Sequence, residues 1–136
     1  MFFLTYIMIK RFKEVFSIDV RALGIFRIFL ALILIFDLLV RSFALVAHYT
    51  DFGVLPLDIY LERFVHPQWV SLHNLSGSIL FQSILFAISF IFAFFMLLGY
   101  KTKLSTIVSW FLLISLHSRN PFVLQGGDIM LRVLVF

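Results

Sequence analysis

The chain has 136 residues, of which 62% are hydrophobic, 13% are charged and 19 are phenylalanine. Soluble domains are roughly half apolar and a quarter charged, and a chain of this length has too small an interior to bury such an excess of apolar surface. The composition therefore argues against a soluble domain and predicts the lipid bilayer as a partner, because lipid solvates apolar side chains without a penalty.

The formal charge of +4 does not indicate binding to nucleic acid. Four of the eleven lysines and arginines flank the first apolar segment, namely Lys10, Arg11, Lys13 and Arg21. That is the usual place for cytoplasmic anchors next to anionic lipid, so no nucleic-acid partner is predicted. The absence of cysteine excludes disulfides, thiolate catalysis and cysteine-ligated metals.

Two helices are predicted near the N-terminus. Met1–Phe16 has its apolar part before its basic part, the reverse of a secretory signal, so a short interfacial helix is expected there. Leu23–Val46 follows with about 24 residues, or roughly 36 Å of helix, which is enough to cross a lipid core of about 30 Å. This segment is the first predicted transmembrane helix.

A long connection, His48–Gly77, follows this helix and is predicted to be structured. Within it, Leu57–Val65 has an amphipathic helical pattern, and Tyr60 and Trp69 suit an aromatic belt. The segment is expected to lie along the outer membrane surface and to cap the helices.

Three further helices are predicted in the C-terminal half. Ile79–Leu98 is a second span, and Leu104–Leu116 is a shorter third span whose hydroxyls can bond to their own helix backbone. Asn120-Pro121 supplies a turn or an N-cap, with proline at the first position of a fourth helix, Pro121–Phe136. The sequence ends inside the apolar run of this helix, so a truncated or partial chain is expected.

Together these elements predict an all-α integral membrane protein, with about four transmembrane helices, the fourth truncated, and an interfacial amphipathic segment on the outer side. Residues 1–136 form a single domain that is expected to be incomplete at its C-terminus. Lys101 and Lys103 stand in one short link, whereas the whole of His48–Gly77 carries Arg63 alone. The positive-inside rule then predicts a multi-pass inner-membrane protein with a cytoplasmic N-terminus.

Charged residues within predicted spans are costly in lipid, so they are the first candidates for a site. Asp37 and Arg41 are four residues apart on one helix face, where their side chains can meet. They either form a structural pair near the outer head groups or line a ligand cavity. Asp128 and Arg132 repeat the spacing in the fourth helix, and Arg27 needs a partner from another helix.

His48 and Asp51 lie three residues apart at the outer end of the first helix. They are either an acid and a base, two metal ligands, or part of the interfacial structure. No third ligand stands at metal spacing, and His66 and His73 are too loosely placed to supply one. No metal site is therefore predicted.

Polar residues gather again between the third and fourth helices, at Arg119, Asn120 and Asp128. Gly126-Gly127 lies in the same stretch, although glycine lowers helix stability. In a membrane such a pair allows either close packing of helices or a local break that a ligand can use.

Five motifs carry a family resemblance. The first helix and its flanks contain RALGIFR at Arg21–Arg27, DLLVR at Asp37–Arg41 and HYTDFGVLP at His48–Pro56. The turn before the fourth helix contains SLHSRNP at Ser115–Pro121 and QGGD at Gln125–Asp128. In order and spacing these motifs resemble the HTTM (horizontally transferred transmembrane) family, which implies a multi-span domain longer than this chain.

The best-known enzyme of that family is the vitamin K-dependent gamma-glutamyl carboxylase, which uses a reduced quinone, oxygen and carbon dioxide. The resemblance implies a lysine base in the turn before the fourth helix, beside an Asn-His pair. Here no lysine follows Lys103 and no histidine follows Asn120, and arginine does not deprotonate near neutral pH. Carboxylase activity is therefore not predicted, and the chain is more similar to the stand-alone bacterial branch of the family.

Three functions remain as hypotheses. The first is an inner-membrane protein that handles a lipophilic or peptide ligand near the outer leaflet, through Asp37, Arg41, His48, Asp51, Arg119, Asn120 and Asp128. The second is a non-catalytic partner of another membrane protein, and the third is a quinone-linked DoxX-like redox accessory, whose turn Leu97–Thr102 loosely resembles. Enzyme activity is left open, and a quinone is the cofactor that the family resemblance suggests.

Overall fold

The computed structural model describes residues 20–63 and 71–136, and these residues contain helices and turns but no strand. The elements are α1 (Val20–Phe43), α2 (Leu45–Tyr49), α3 (Leu57–Arg63), a 3₁₀ turn (Leu72–Asn74), α4 (Ile79–Leu98), α5 (Thr102–Arg119), a 3₁₀ turn (Pro121–Val123) and α6 (Gly126–Val135). The all-helical class is confirmed, whereas the N-terminal interfacial helix predicted for Met1–Phe16 lies outside the described residues.

The three longest helices pack side by side. α1 packs along α4, α4 packs along α5, and α6 packs against both α5 and α1. The buried stripe of α1 follows the three- and four-residue spacing of one helix face, with Leu30, Ala31, Leu34 and Leu38. Ala93 of α4 is fully buried like Ala31, as expected where helix backbones lie close together.

Two of the described helices, α1 and α4, are long and apolar enough to cross a membrane, with mean hydropathies of 2.6 and 2.4 in their most apolar windows. α4 has the predicted bounds because both of its ends are capped. The Ser78 hydroxyl accepts from the Phe81 amide, and Gly99 ends the helix in the left-handed conformation, at φ 78°. α5 is longer than the predicted Leu104–Leu116 because it includes a polar turn at each end.

The first helix ends at Phe43, three residues before the predicted end at Val46. At Ala44 the backbone has φ −107° and ψ 18°, and its amide donates to the Arg41 carbonyl, so the regular helical ladder is interrupted. The chain bends there into α2, which brings Tyr49 back to α1. The apolar pattern runs through the bend without a change and could not reveal it.

The predicted fourth helix, Pro121–Phe136, is divided in the structure. The side chain of Asn120 accepts from the Phe122 amide, as an N-cap does, but it caps only the 3₁₀ turn Pro121–Val123. The regular helix α6 begins at Gly126. The predicted cap is therefore present, whereas the predicted start of the long helix is wrong.

The glycine pair stands at the start of α6 and is exposed. A Cβ atom built on Gly126 or Gly127 would meet nothing within 4 Å, so the pair does not serve close packing within the described part of the chain. The alternative prediction was a local break in the helix. That break lies immediately before the glycine pair, because the regular helix α6 begins only at Gly126.

α3 confirms the helix predicted after the first span, over Leu57–Arg63. The rest of the predicted segment Leu57–Val65, together with Trp69, lies outside the described residues. Tyr60 does not take the predicted place in an aromatic belt. It is buried, and its hydroxyl donates to the Ser118 carbonyl, which fastens α3 to the end of α5.

The bundle has two distinct ends. Arg27 of α1 lies against Gly99, so the N-terminal part of α1 and the α4–α5 turn share one end, called here the basic end. At the other end the Asn120 side-chain amide donates to the His48 carbonyl at 3.0 Å. This polar end consists of α2, α3, the end of α5 and the start of α6.

Candidate functional site

Buried charges gather around Arg41 at the polar end. The Arg41 Nε donates to Asp37 Oδ2 at 2.8 Å, its Nη1 donates to Tyr49 Oη at 3.0 Å, and its Nη2 donates to Asp128 Oδ1 at 2.5 Å. The contact predicted between Asp37 and Arg41 is confirmed. The structure adds Tyr49 from α2 and Asp128 from α6. Burial raises the pKa of Tyr49, which keeps its hydroxyl protonated.

Asp128 bonds to α1 and not to Arg132, its neighbour four residues further along α6. Its second carboxylate oxygen accepts from the Gln125 amide at 2.8 Å, because Asp128 stands in the first turn of the helix. The Arg132 Nε has no hydrogen-bond partner. The pair suggested by the repeated spacing is therefore wrong.

His117 of α5 completes this group, called here the Arg41 cluster (Asp37, Arg41, Tyr49, His117 and Asp128). Its side chain is fully buried, and its Nε2 lies 3.9 Å from Asp128 Oδ1. Within residues 20–63 and 71–136, neither ring nitrogen has a hydrogen-bond partner. His117 was not among the predicted site residues, although its position four residues after the apolar Leu113 placed it on the buried face of α5.

A second group surrounds Arg119, the last residue of α5. The side chain is fully buried, and none of its three guanidinium nitrogens has a hydrogen-bond acceptor among the residues that the structure describes. An oxygen of Asp51 lies 3.9 Å from Nη2, and the guanidinium carbon lies 5.7 Å from the centre of the Tyr60 ring. A buried polar group without a partner is costly, so this arrangement calls for an explanation.

Asp51 is half exposed and is already engaged by the backbone. Its carboxylate accepts from the Leu57 amide at 3.0 Å, and its own amide donates to the Gly77 carbonyl. A Cβ at Gly77 would overlap the Asp51 carboxylate, so a larger residue there would displace that carboxylate. His48 contributes its carbonyl to Asn120, and no hydrogen bond or ion pair of the described residues joins its ring to Asp51.

His73 is buried and is held by hydrogen bonds from two elements. Its Nδ1 lies 2.8 Å from Ser115 Oγ, and its amide donates to the same oxygen at 3.1 Å. Gln82 donates to the His73 carbonyl. Burial, together with the nearby charge of Arg119, lowers the pKa of His73 to about 4.

The predicted site residues thus lie at one end of the bundle, in two groups. The Arg41 cluster contains three of them, and the Arg119 group contains two. Asn120 and His48 are joined by the hydrogen bond between α2 and the end of α5. Whether these residues bind a ligand stays a prediction.

One combination of side chains is suited to a metal ion. Asp37, His117 and Asp128 each offer one ligand atom, and these atoms lie within 4.8 Å of one another. The three residues come from α1, α5 and α6, so their meeting depends on tertiary structure and has no signature in the spacing of the sequence.

No protein-family model, no curated protein and no solved structure matches this chain.

Proposed function

We propose that the chain is a multi-pass inner-membrane protein of the HTTM type, which binds a lipophilic ligand with an acidic head group at its polar end. Its membrane location is supported by the low burial of the two apolar helices. Only 22% and 33% of the residues are buried in the most apolar windows of α1 and α4. A core helix of a soluble protein would bury most of such a window, whereas lipid suits these exposed faces.

The distribution of charge supports an orientation with the polar end outside. Arg27, Lys101 and Lys103 lie at the basic end, together with the start of α1, which carries Arg21. The acidic residues of the described chain belong to the polar end. The positive-inside rule places the basic end in the cytoplasm.

The observation that carries the ligand proposal is the buried guanidinium of Arg119, which has no acceptor. The guanidinium is a rigid, permanently charged fork that matches carboxylates and phosphates. Asp51 is 3.9 Å away and is held by the Leu57 amide, so it does not supply the acceptor. An acidic head group would supply it, while the apolar part of the ligand stays against the lipid-facing helices.

The ligand proposal is tested by native mass spectrometry of the full chain in mild detergent, with phosphatidylglycerol, oleate and diacylglycerol as probes. We expect the chain to retain one or both anionic amphiphiles and to release diacylglycerol. Arg119→Gln should weaken retention by about tenfold or more, because hydrogen bonds to charged groups contribute about 1.5–3 kcal/mol. Retention of oleate alone would identify a carboxylate head group, and retention of phosphatidylglycerol alone a phosphate.

The control is Arg63→Gln, which changes an exposed arginine of α3 at the same end. Equal retention by the unchanged chain and by Arg119→Gln would contradict the proposal. Binding of a peptide through its C-terminal carboxylate, with no lipid retained, would also overturn it in favour of a peptide ligand.

A second function, that of a non-catalytic partner of another membrane protein, is favoured by the exposed glycine pair. No atom of the described residues lies within 4 Å of a Cβ built on Gly126 or Gly127, and small residues on a helix surface allow a second helix to approach closely. Loss of a stoichiometric membrane partner on Gly127→Leu would support this function, and an unchanged partner would argue against it. The quinone-linked alternative is tested by analysing the extracted protein for bound quinone.

A further inference from the structure

We infer that Asp37, His117 and Asp128 form a binding site for a divalent transition-metal ion at the polar end. The site lies in the Arg41 cluster and is separate from the Arg119 guanidinium, on which the lipid proposal rests. Each proposal can therefore fail while the other stands.

The spacing of the ligand atoms is slightly wider than one bound ion requires. Ligand oxygens and nitrogens lie about 2.0–2.2 Å from zinc, so two of them around the same ion are separated by up to about 4.4 Å. The three atoms offered by Asp37, His117 and Asp128 are all within 4.8 Å of one another. Small rotations of the side chains are enough to close the site.

His117 provides an observation that is independent of the two acidic residues. Its imidazole is fully buried beside Asp128, and both ring nitrogens lack a hydrogen-bond partner. A buried imidazole in that state forfeits the hydrogen bonds that water would give it. A metal ion bonded to Nε2 would use the free lone pair of a neutral imidazole.

Charge also favours a cation in the cluster. Asp37 and Asp128 carry two negative charges, Arg41 carries one positive charge, and neutral His117 adds none. The net charge of these four side chains is thus −1, where Arg41 and Asp128 are both buried, and buried charges are normally paired or bound to metals.

Arg41 does not block the site. Its guanidinium contacts one oxygen of each carboxylate, so both carboxylates keep lone pairs for an ion. Its third nitrogen donates to the Tyr49 hydroxyl at 3.0 Å, so no further guanidinium nitrogen competes for the carboxylates. Arg41 would then orient the ligand carboxylates, as hydrogen-bonding partners of metal ligands commonly do.

The donor set indicates the class of ion. One imidazole with two carboxylates suits Zn²⁺, Mn²⁺ or Fe²⁺, whereas Mg²⁺ and Ca²⁺ prefer oxygen ligands alone. Three protein ligands leave at least one position open for water or for a small ligand, as in catalytic metal sites.

Metal titration of the full chain in detergent tests this site. After treatment with a chelator, the protein is titrated with Zn²⁺, Mn²⁺ and Mg²⁺ in separate calorimetric experiments. We expect one Zn²⁺ or Mn²⁺ per chain and much weaker binding of Mg²⁺. His117→Gln should weaken the binding of Zn²⁺ by at least about 100-fold, since loss of a mere partner of a ligand costs about 10- to 100-fold.

The matched control is Glu62→Gln, which removes an exposed carboxylate of α3 and should bind Zn²⁺ as the unchanged chain does. Absence of stoichiometric binding to the unchanged chain, or equal binding by His117→Gln, overturns the inference. X-ray absorption at the zinc edge of the unchanged chain decides the question if His117→Gln does not fold. One imidazole and otherwise oxygen ligands are expected, and a spectrum without imidazole scattering contradicts the site.

Discussion

Two buried arginines of the polar end, Arg41 and Arg119, differ in the hydrogen bonds that their guanidinium groups make. Among the described residues, each nitrogen of the Arg41 guanidinium has a hydrogen-bond acceptor, whereas no nitrogen of the Arg119 guanidinium has one. The contact between Arg41 and Asp37 could be predicted from sequence because it is local, four residues apart on one helix. Its contact with Asp128 spans 87 positions and depends on the packing of α6 against α1.

Replacing Arg41 by methionine tests the structural role of the cluster. We expect Arg41→Met to lower the free energy of unfolding by about 3–5 kcal/mol, because it leaves two carboxylates without their buried counter-charge. Chemical denaturation in detergent measures the change. Arg63→Met, at an exposed position, should stay within about 0.5 kcal/mol of the unchanged chain. Equal stabilities of the two variants would show that the cluster contributes nothing.

His73 predicts a dependence of stability on pH. The unfolded chain binds a proton at His73 near pH 6.5, and the folded chain does so only near pH 4. The free energy of unfolding should therefore be largest above pH 6.5 and fall towards pH 4, by up to about 1.4 kcal/mol per pH unit from this residue. His73→Gln should flatten the curve between pH 6.5 and 4, and parallel curves for the two proteins would refute the assignment.

At the scale of the helices, sequence patterns predict some helix bounds correctly and miss others. The bounds of α4 were predictable because serine and glycine caps mark its ends. The bend at Ala44 and the delayed start of α6 were not, since apolar residues continue through both positions. At each of them the chain is positioned by a polar contact, of Tyr49 with Arg41 and of Asp128 with the Gln125 amide. Those contacts exist only in the folded structure.

Two glycines of the long helices should respond to alanine with opposite signs. Gly99 has φ 78°, and a Cβ there would lie 2.8 Å from an Arg27 nitrogen, so Gly99→Ala should destabilise the protein by about 1 kcal/mol or more. Gly24 is inside α1 with nothing within 4 Å of a Cβ, so Gly24→Ala should stabilise it by about 0.5–1 kcal/mol. Thermal unfolding in one detergent compares the two, and a shift of the same sign for both would contradict the structure.

At the scale of the whole molecule, apolar helix faces separate a basic end from a polar end. Composition predicted the all-helical class, and hydropathy located α1 and α4, because both signals are carried by long segments. The order of the helices along the chain predicted that the charged site residues share one end of the bundle. It did not predict which of the side chains meet. The meeting of Asp37, His117 and Asp128 needs three helices in register, which no local pattern encodes.

The most direct test of the account is the membrane topology of the two ends. The sequence has no cysteine, so a single introduced cysteine is the only thiol. Asp58→Cys marks the polar end and Lys103→Cys the basic end, and both positions are exposed. In right-side-out inner-membrane vesicles, an impermeant maleimide should label Asp58→Cys directly and Lys103→Cys only after permeabilisation. Labelling of both positions from the same side, or of Lys103→Cys alone before permeabilisation, would contradict a membrane-spanning bundle with its polar end outside.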